Sequence, residues 1–181
     1  MTSIHDDVTR VLISEDELKA KVKSVGEQIS KDFEGKNPVF VGVLKGCFIF
    51  MSDLLRYVDI PCSLDFMAVS SYSGTSSTGA VKINKDLRED INDRHVIIVE
   101  DILDSGVTLN YLKNYLMVRS PASISIVTLM DKPARRKAPV WADYSCFEVP
   151  DEFVVGYGLD YNEKYRNLPY VGVLSPSVYG G

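Results

Sequence analysis

Three short runs of almost unbroken apolar residues constrain this chain more than any other feature. They are "PVFVGVLKG" from position 38, "HVIIVEDI" from 95 and "SISIVTLM" from 123. Each is too short for a buried helix and rich in β-branched residues. Such runs suit strands covered on both faces, as in a parallel sheet. The stretches after the first two, "CFIFMSDLLRYV" and "GVTLNYLKNYLMVRS", have helical character, and the second stops near Pro121. "CSLDFMAVSSY" reads as a further strand, and "EFVVGYG" and "YVGVLS" as two short ones. Strands alternating with helices imply an α/β fold with right-handed crossovers. The expectation is a mostly parallel central sheet flanked by helices.

An amphipathic helix precedes the first of these strands. Ser14 and Glu17 have the spacing of a capping box. Leu18, Val22, Val25 and Ile29 then follow on one helical face, and Gly35 and Pro38 end it. Nothing divides the 181 residues into separate units, so one domain over 1–181 is expected.

The charge balance narrows the function. A formal net charge of -5 argues against a protein that coats nucleic acid. No apolar run reaches the length of a membrane span. The N-terminal "MTSIHDDVTR" shows no export signal, which makes the cytoplasm the expected location. Cys47, Cys62 and Cys146 are scattered and odd in number, and His occurs twice. The expectation is buried thiols acting as small hydrophobes, with no disulfide framework or zinc site.

"SSYSGTSSTGAVKINKDLRED" stands apart. Positions 70 to 79 hold only Ser, Thr, Gly and one Tyr. None of this can fill a core. It reads either as a hairpin tip or as a lid that excludes water from a substrate, at about residues 70–85.

The chemistry gathers where strands end and helices begin. In "DSGVT", Asp104 to Thr108, Gly106 permits close backbone approach. Ser105 and Thr108 add hydroxyl donors, and helix-start amides favour an anion. A Walker A loop is excluded, because its "GxxxxGK" is missing. Just upstream, Glu100 and Asp101 suit vicinal hydroxyls or a hard cation such as Mg²⁺. A ligand with a phosphate at one end and a diol nearby satisfies both halves, and a ribose 5-phosphate has that shape. Asp104 lies between them, as a general base or as the helix N-cap.

Leu44, Lys45 and Gly46 form a second strand-to-helix turn able to bind an anion such as pyrophosphate. Lys132 follows a third strand and could reach the same site. Arg135, Arg136 and Lys137 read as a solvated surface cluster. In "DEFVVGYGLDYNEKYRNLP", Phe153 could stack on a base, Asp160 could hold a metal and Arg166 an anion. By spacing alone, Phe153 reads as core, and Tyr157, Tyr161 and Tyr165 as packing residues.

"VIIVEDILDSGVTL" resembles the ribose-phosphate signature of the type I phosphoribosyltransferases. "VGVLKGCFIF", "SSYSGTSSTG", the lysine of "MDKPARR" and "DEFVVGYGLDYNEKYRNLPYVGVL" are similar to the hypoxanthine(-guanine) phosphoribosyltransferase branch. The resemblance covers residues 10 to 174 and is most specific at the C-terminal end. It implies the type I fold, with a small hood and a flexible lid loop. It also implies Mg²⁺-dependent transfer of the phosphoribosyl group from phosphoribosyl pyrophosphate to hypoxanthine or guanine, in purine salvage. Glu100 and Asp101 would meet the ribose hydroxyls and the metal. Asp104 would act on purine N7 and contribute to ribose binding. Ser105, Gly106, Val107 and Thr108 would hold the 5-phosphate. Leu44, Lys45 and Gly46, often with a non-proline cis peptide, would hold pyrophosphate with Arg166. Lys132 would donate to O6, Phe153 would stack, Val154 would read the base edge through its backbone, and Asp160 would lie at the base and bind a second Mg²⁺. Ser71 and Tyr72 would belong to the lid. Relatives commonly carry lysine where this chain has Val107, so the resemblance implies a backbone cradle there without a side-chain contact. It further implies a homodimer or homotetramer, without nucleic acid or membrane as partner. The competing expectation is a regulatory protein on the same fold, sensing phosphoribosyl pyrophosphate and binding nucleic acid.

Overall fold

The computed structural model describes residues 3–71 and 81–180. In chain order the elements are β1 (Val8–Ile13), α1 (Glu15–Asp32), β2 (Val39–Leu44), α2 (Phe48–Leu55), β3 (Ser63–Ser71), β4 (Val81–Lys85) and β5 (His95–Leu103). There follow α3 (Val107–Met117), β6 (Ser123–Asp131), β7 (Tyr144–Glu148), β8 (Val154–Val155), β9 (Val171–Leu174) and the short α4 (Pro176–Tyr179). A 3-10 turn, Pro133–Arg135, follows β6.

The main sheet has the order β4-β3-β2-β5-β6-β7. All its neighbours are parallel except β3 and β4, so the mostly parallel sheet expected from the apolar runs is present. A second, antiparallel sheet joins β1, β9 and β8.

The strands are continuous in hydrophobicity because both faces are covered. Val39, Val41, Val43, Val96 and Ile98 pack in one cluster with Leu109, Leu112 and Leu116 of α3. The alternate residues Phe40, Ile97 and Val99 pack in another, with Leu18, Val22 and Ile29 of α1 and Phe50, Met51 and Leu54 of α2. Adjacent strand side chains point to opposite faces, so one run feeds both clusters. The capping box at the start of α1 is formed: Glu17 N donates to Ser14 Oγ (3.3 Å), and Ser14 N donates to Glu17 Oε2 (2.8 Å).

The chain departs from the expectation in three places. Residues 81–85, read as part of a structureless segment, are a strand that pairs antiparallel with β3 from Ala68↔Lys85 to Ser71↔Val81. "VKINK" alternates apolar and polar residues, and Ile83 packs against the α3-side cluster. Strands β1 and β7 were not foreseen, and each pairs along one side only. Cys62 is exposed, whereas Cys47 and Cys146 are buried as expected; all three are free. Cys62 immediately precedes β3, at the amino end of the strand, outside both large clusters. Among the described residues no helix is long and apolar enough to cross a membrane.

The two contributions to α1 differ in size. Ile29→Ala empties a fully buried position and should cost roughly 2–5 kcal/mol. Ser14→Ala removes only the cap and should cost about 1 kcal/mol. Urea denaturation of the two variants checks the ranking; equal losses would mean that packing does not dominate the helix.

Candidate active site

Strands β2 and β5 are neighbours whose connections leave in opposite directions. From β2 the chain runs through α2 to β3 on one side, and from β5 through α3 to β6 on the other. A crevice opens beyond the carboxyl ends of two such strands. Leu44, Lys45 and Gly46 enter it from β2, and Glu100 to Leu103 from β5.

Glu100 and Asp101 are half-buried in this crevice. Glu100 Oε2 is buried without a hydrogen-bond partner. Burial, and then the neighbouring Asp101 charge, push the Glu100 carboxyl well above its ordinary range. Burial likewise pushes Asp101 up to about 6, although the amide of Ile102, donating at 2.8 Å, and the Arg166 charge oppose the rise. Two acids held this way favour a ligand that supplies donors or positive charge. Oxygen donors suit a hard cation, so the pair fits Mg²⁺. Among the described residues no three His, Cys, Asp or Glu side chains converge as a metal cage. Mg²⁺ is commonly held by one or two carboxylates together with substrate phosphates, which agrees with this arrangement.

The turn after β5 forms the opposite end of the site. Gly106 has φ 76°, a left-handed conformation that suits glycine, and α3 starts immediately after it. The first amides of a helix lack intrahelical acceptors. Here only a long contact from Val107 N to Ser105 Oγ (3.4 Å) engages them. A cavity of about 150 Å³ lies against Glu100, Asp104, Ser105, Gly106 and Thr108. Val107 turns outward, 39% exposed. The alternative of Asp104 as N-cap is overturned, because Gly106 occupies that position and no side chain caps the helix.

The β2 turn packs tightly on these acids. A Cβ on Gly46 would stand 1.6 Å from Asp101 Oδ2, so any side chain here would displace the Asp101 carboxylate. The Leu44–Lys45 peptide bond is cis. Lys45 Nζ donates to Glu163 Oε2 (2.9 Å), and Arg166 donates to Gly158 O (2.7 Å) and pairs with Asp160 (2.9 Å). The buried Arg166 Nε has no partner. The Arg166 charge therefore acts on Asp101, while the Lys45 side chain is exposed and paired with Glu163.

A larger cavity, about 510 Å³, extends from Asp101 and Asp104 to Lys132, Phe153, Val154 and Asp160. Lys132 is only 7% exposed, and its Nζ donates to Glu152 O (2.6 Å). Phe153 is exposed rather than core; its ring stacks on Tyr179 of α4 at 5.0 Å and meets Tyr161 edge-on at 5.5 Å. Val154 is buried and pairs with Val173. Tyr157 and Tyr165 are buried packing residues whose hydroxyls donate to Asp53 and Asp7, and Tyr161 is half-buried in the cluster of Tyr165.

The structure thus brings Glu100, Asp101, Asp104, Lys132, Phe153, Val154 and Asp160 around one crevice, with the 105–108 turn and Leu44–Gly46 at its edges. Tyr72 lies outside the described residues, and for Ser71 only its place at the end of β3 is described. The solvated cluster expected at Arg135–Lys137 is corrected in part. Lys137 is exposed, but Arg136 is tucked against Asp131 and donates to Val140 O, and Arg135 lines the larger cavity. Arg135 finds carboxylates distant in sequence, Asp104 and Asp151, whereas Arg136 folds back on Asp131 five residues upstream; charge clustering alone reveals neither. The same loop braces the 105–108 turn, since Lys137 N and Ala138 N both donate to Ser105 O. Asp151, Glu152, Ile102 and Leu159 also line the large cavity and carried no sequence signal of their own.

The raised Asp101 carboxyl has a measurable consequence. Its folded value, about 6, lies above the ordinary 3.8, so the folded state binds the extra proton between those limits. Stability from this group is therefore fully present below about pH 4 and lost as pH rises through 6. In chelator-treated protein, Asp101→Asn should raise Tm by about 2–6 °C at pH 8, and the gain should vanish towards pH 4. Thermal melts across that range check this; a gain independent of pH would contradict it.

Comparison with known proteins agrees with this geometry. The profile of the phosphoribosyl transferase domain family matches residues 14–162. The hypoxanthine-guanine phosphoribosyltransferase of Bacillus subtilis is 53% identical over 174 residues, covering 96% of this chain and 97% of that one. The bifunctional protein TilS/HprT of Listeria monocytogenes is 54% identical over 178 residues, 98% of this chain; the chain spans 28% of that protein's length. A crystal structure of a hypoxanthine phosphoribosyltransferase from Staphylococcus aureus superposes with a TM-score of 0.96 at 51% identity, covering both chains fully. The chain belongs to the phosphoribosyltransferase family and, within it, to the hypoxanthine(-guanine) phosphoribosyltransferases.

Proposed function

We propose that this chain transfers the 5-phosphoribosyl group from phosphoribosyl pyrophosphate to a 6-oxopurine, hypoxanthine or guanine, releasing pyrophosphate. The observation that carries the reading is the sharing of one strand end. Glu100 and Asp101 lie between the amide-rich start of α3 and a cavity holding a buried lysine and an exposed aromatic ring.

The residues divide the substrates as follows. Ser105, Gly106, Val107 and Thr108 take the 5-phosphate through backbone amides and hydroxyls. Glu100 and Asp101 accept hydrogen bonds from the ribose hydroxyls. Leu44, Lys45, Gly46 and Arg166 take the pyrophosphate. Phe153 stacks on the purine, and Val154 reads its edge through the backbone. Lys132 meets O6; an ammonium donates but cannot accept, so it disfavours a 6-amino purine. Asp104 accepts the proton from N7. Breaking the bond between C1 and pyrophosphate leaves an oxocarbenium-like sugar, which must be kept from water.

Glu100 and Asp101 would hold one Mg²⁺ and Asp160 a second, and the metal would supply positive charge against the departing pyrophosphate. The unpartnered Glu100 Oε2 and the raised carboxyls support that fit. Cytoplasmic residence and assembly as a homodimer or homotetramer belong to the same proposal and rest on the family resemblance.

Radiolabelled hypoxanthine, phosphoribosyl pyrophosphate and Mg²⁺ should yield labelled inosine monophosphate with the wild-type chain. Asp104→Ala should lower kcat by about 10²–10⁴-fold with little change in the KM for phosphoribosyl pyrophosphate. Lys132→Ala should lower kcat/KM for hypoxanthine. Unchanged turnover of hypoxanthine by Lys132→Ala would contradict the purine assignment.

A further inference from the structure

Arg135 has no part in the mechanism above, yet it lines the purine cavity. Its Nε lies 2.7 Å from Asp104 Oδ1, and its Nη1 donates to Asp151 Oδ1 at 3.0 Å. Asp104 belongs to the turn between β5 and α3, whereas Asp151 lies two residues before Phe153. One guanidinium therefore ties the acid to the segment that carries the aromatic ring. Its planar fork of five donors can serve two carboxylates at fixed angles.

Among the described residues no other side chain anchors Asp104. It caps no helix. Among the described residues Arg135 is its only ion-pair partner, and the contact is made through Oδ1. Oδ1 is buried and takes no hydrogen bond, so the Arg135 charge 2.7 Å away is what offsets its burial, and among the described residues no hydrogen bond engages Oδ2. Glu100 and Asp101 lie three and four residues upstream, so Asp104 stands in the acidic part of the crevice, where an adjacent cation is favourable.

We infer that Arg135 is a positioning residue: it holds Asp104 by Oδ1 so that Oδ2 faces the purine. The inference rests on the reading of Asp104 as the proton acceptor. Arg135 itself touches no reacting atom. Its side chain is 48% exposed, and an exposed ion pair contributes little to folding. What it controls is orientation, to which catalytic rates are sensitive.

The test is a double-mutant cycle with Arg135→Ala and Asp104→Ala, with Arg135→Lys alongside. Thermal melts of each variant verify folding. Arg135→Ala should lower kcat with hypoxanthine about 10- to 100-fold, with KM for phosphoribosyl pyrophosphate unchanged within about twofold. Arg135→Lys, which keeps the charge without the fork, should recover part of the loss. In the Asp104→Ala background, Arg135→Ala should cost nothing further. An equal penalty in both backgrounds overturns the inference, as does a rise in purine KM at constant kcat, which would make Arg135 a direct ligand of the base. An active wild type with an unaffected Arg135→Ala overturns the inference alone. A wild type inactive on every 6-oxopurine overturns the proposed function first and the inference with it.

Discussion

The withdrawal of Glu100 and Asp101 from water is the constraint on which the site depends. Charged carboxylates are costly to desolvate, and these two are held at the end of a central strand with one oxygen left unpartnered. The sheet meets that cost through its remaining contacts. Burial of Val96, Ile97, Ile98 and Val99 on alternating faces fixes β5 rigidly, and the acids follow directly from it. Gly46 then allows a second turn to close against Asp101. A site arranged this way is preorganised for a sugar or cation that relieves the acids, and it needs no covalent nucleophile.

The crevice has two halves of different origin. The half proposed for the phosphate is made by backbone: the start of α3, the left-handed Gly106 and the brace from Lys137 and Ala138 to Ser105. The half proposed for the purine is made by side chains from connecting segments, Lys132 after β6 and Phe153 before β8. This division matches the chemistry required of each half. A phosphate can be recognised by many amides, whereas a 6-oxopurine demands a donor at one defined atom. The aromatic support from Tyr161 and Tyr179 ties the purine half to α4, far along the chain.

Much of this was legible in the sequence because it is local. The apolar runs of β2, β5 and β6 state their own double burial, and Ser14 with Glu17 states where α1 begins. The acids and the 105–108 turn lie within nine residues, so their association needs no tertiary knowledge. What escaped depends on partners distant along the chain. β1 is a strand because β9 lies beside it, and β7 because β6 does. Arg135 looks like a surface charge until Asp104 and Asp151 are placed around it. Phe153 reads as core by spacing, and only the folding of residues 151–160 around the cavity leaves its ring exposed. The position of Lys132 after a strand brings it to the site, but only the family resemblance says which atoms Lys132 and Arg166 would meet.

The central claim is that one sugar phosphate spans the α3 start and the paired acids. A crystal structure with a bound purine nucleoside 5-monophosphate tests it most directly. The account predicts phosphoryl oxygens on the amides of residues 105–108, ribose hydroxyls on Glu100 and Asp101, and the base against Phe153. A phosphate bound elsewhere, or acids that leave the ribose untouched, would contradict it.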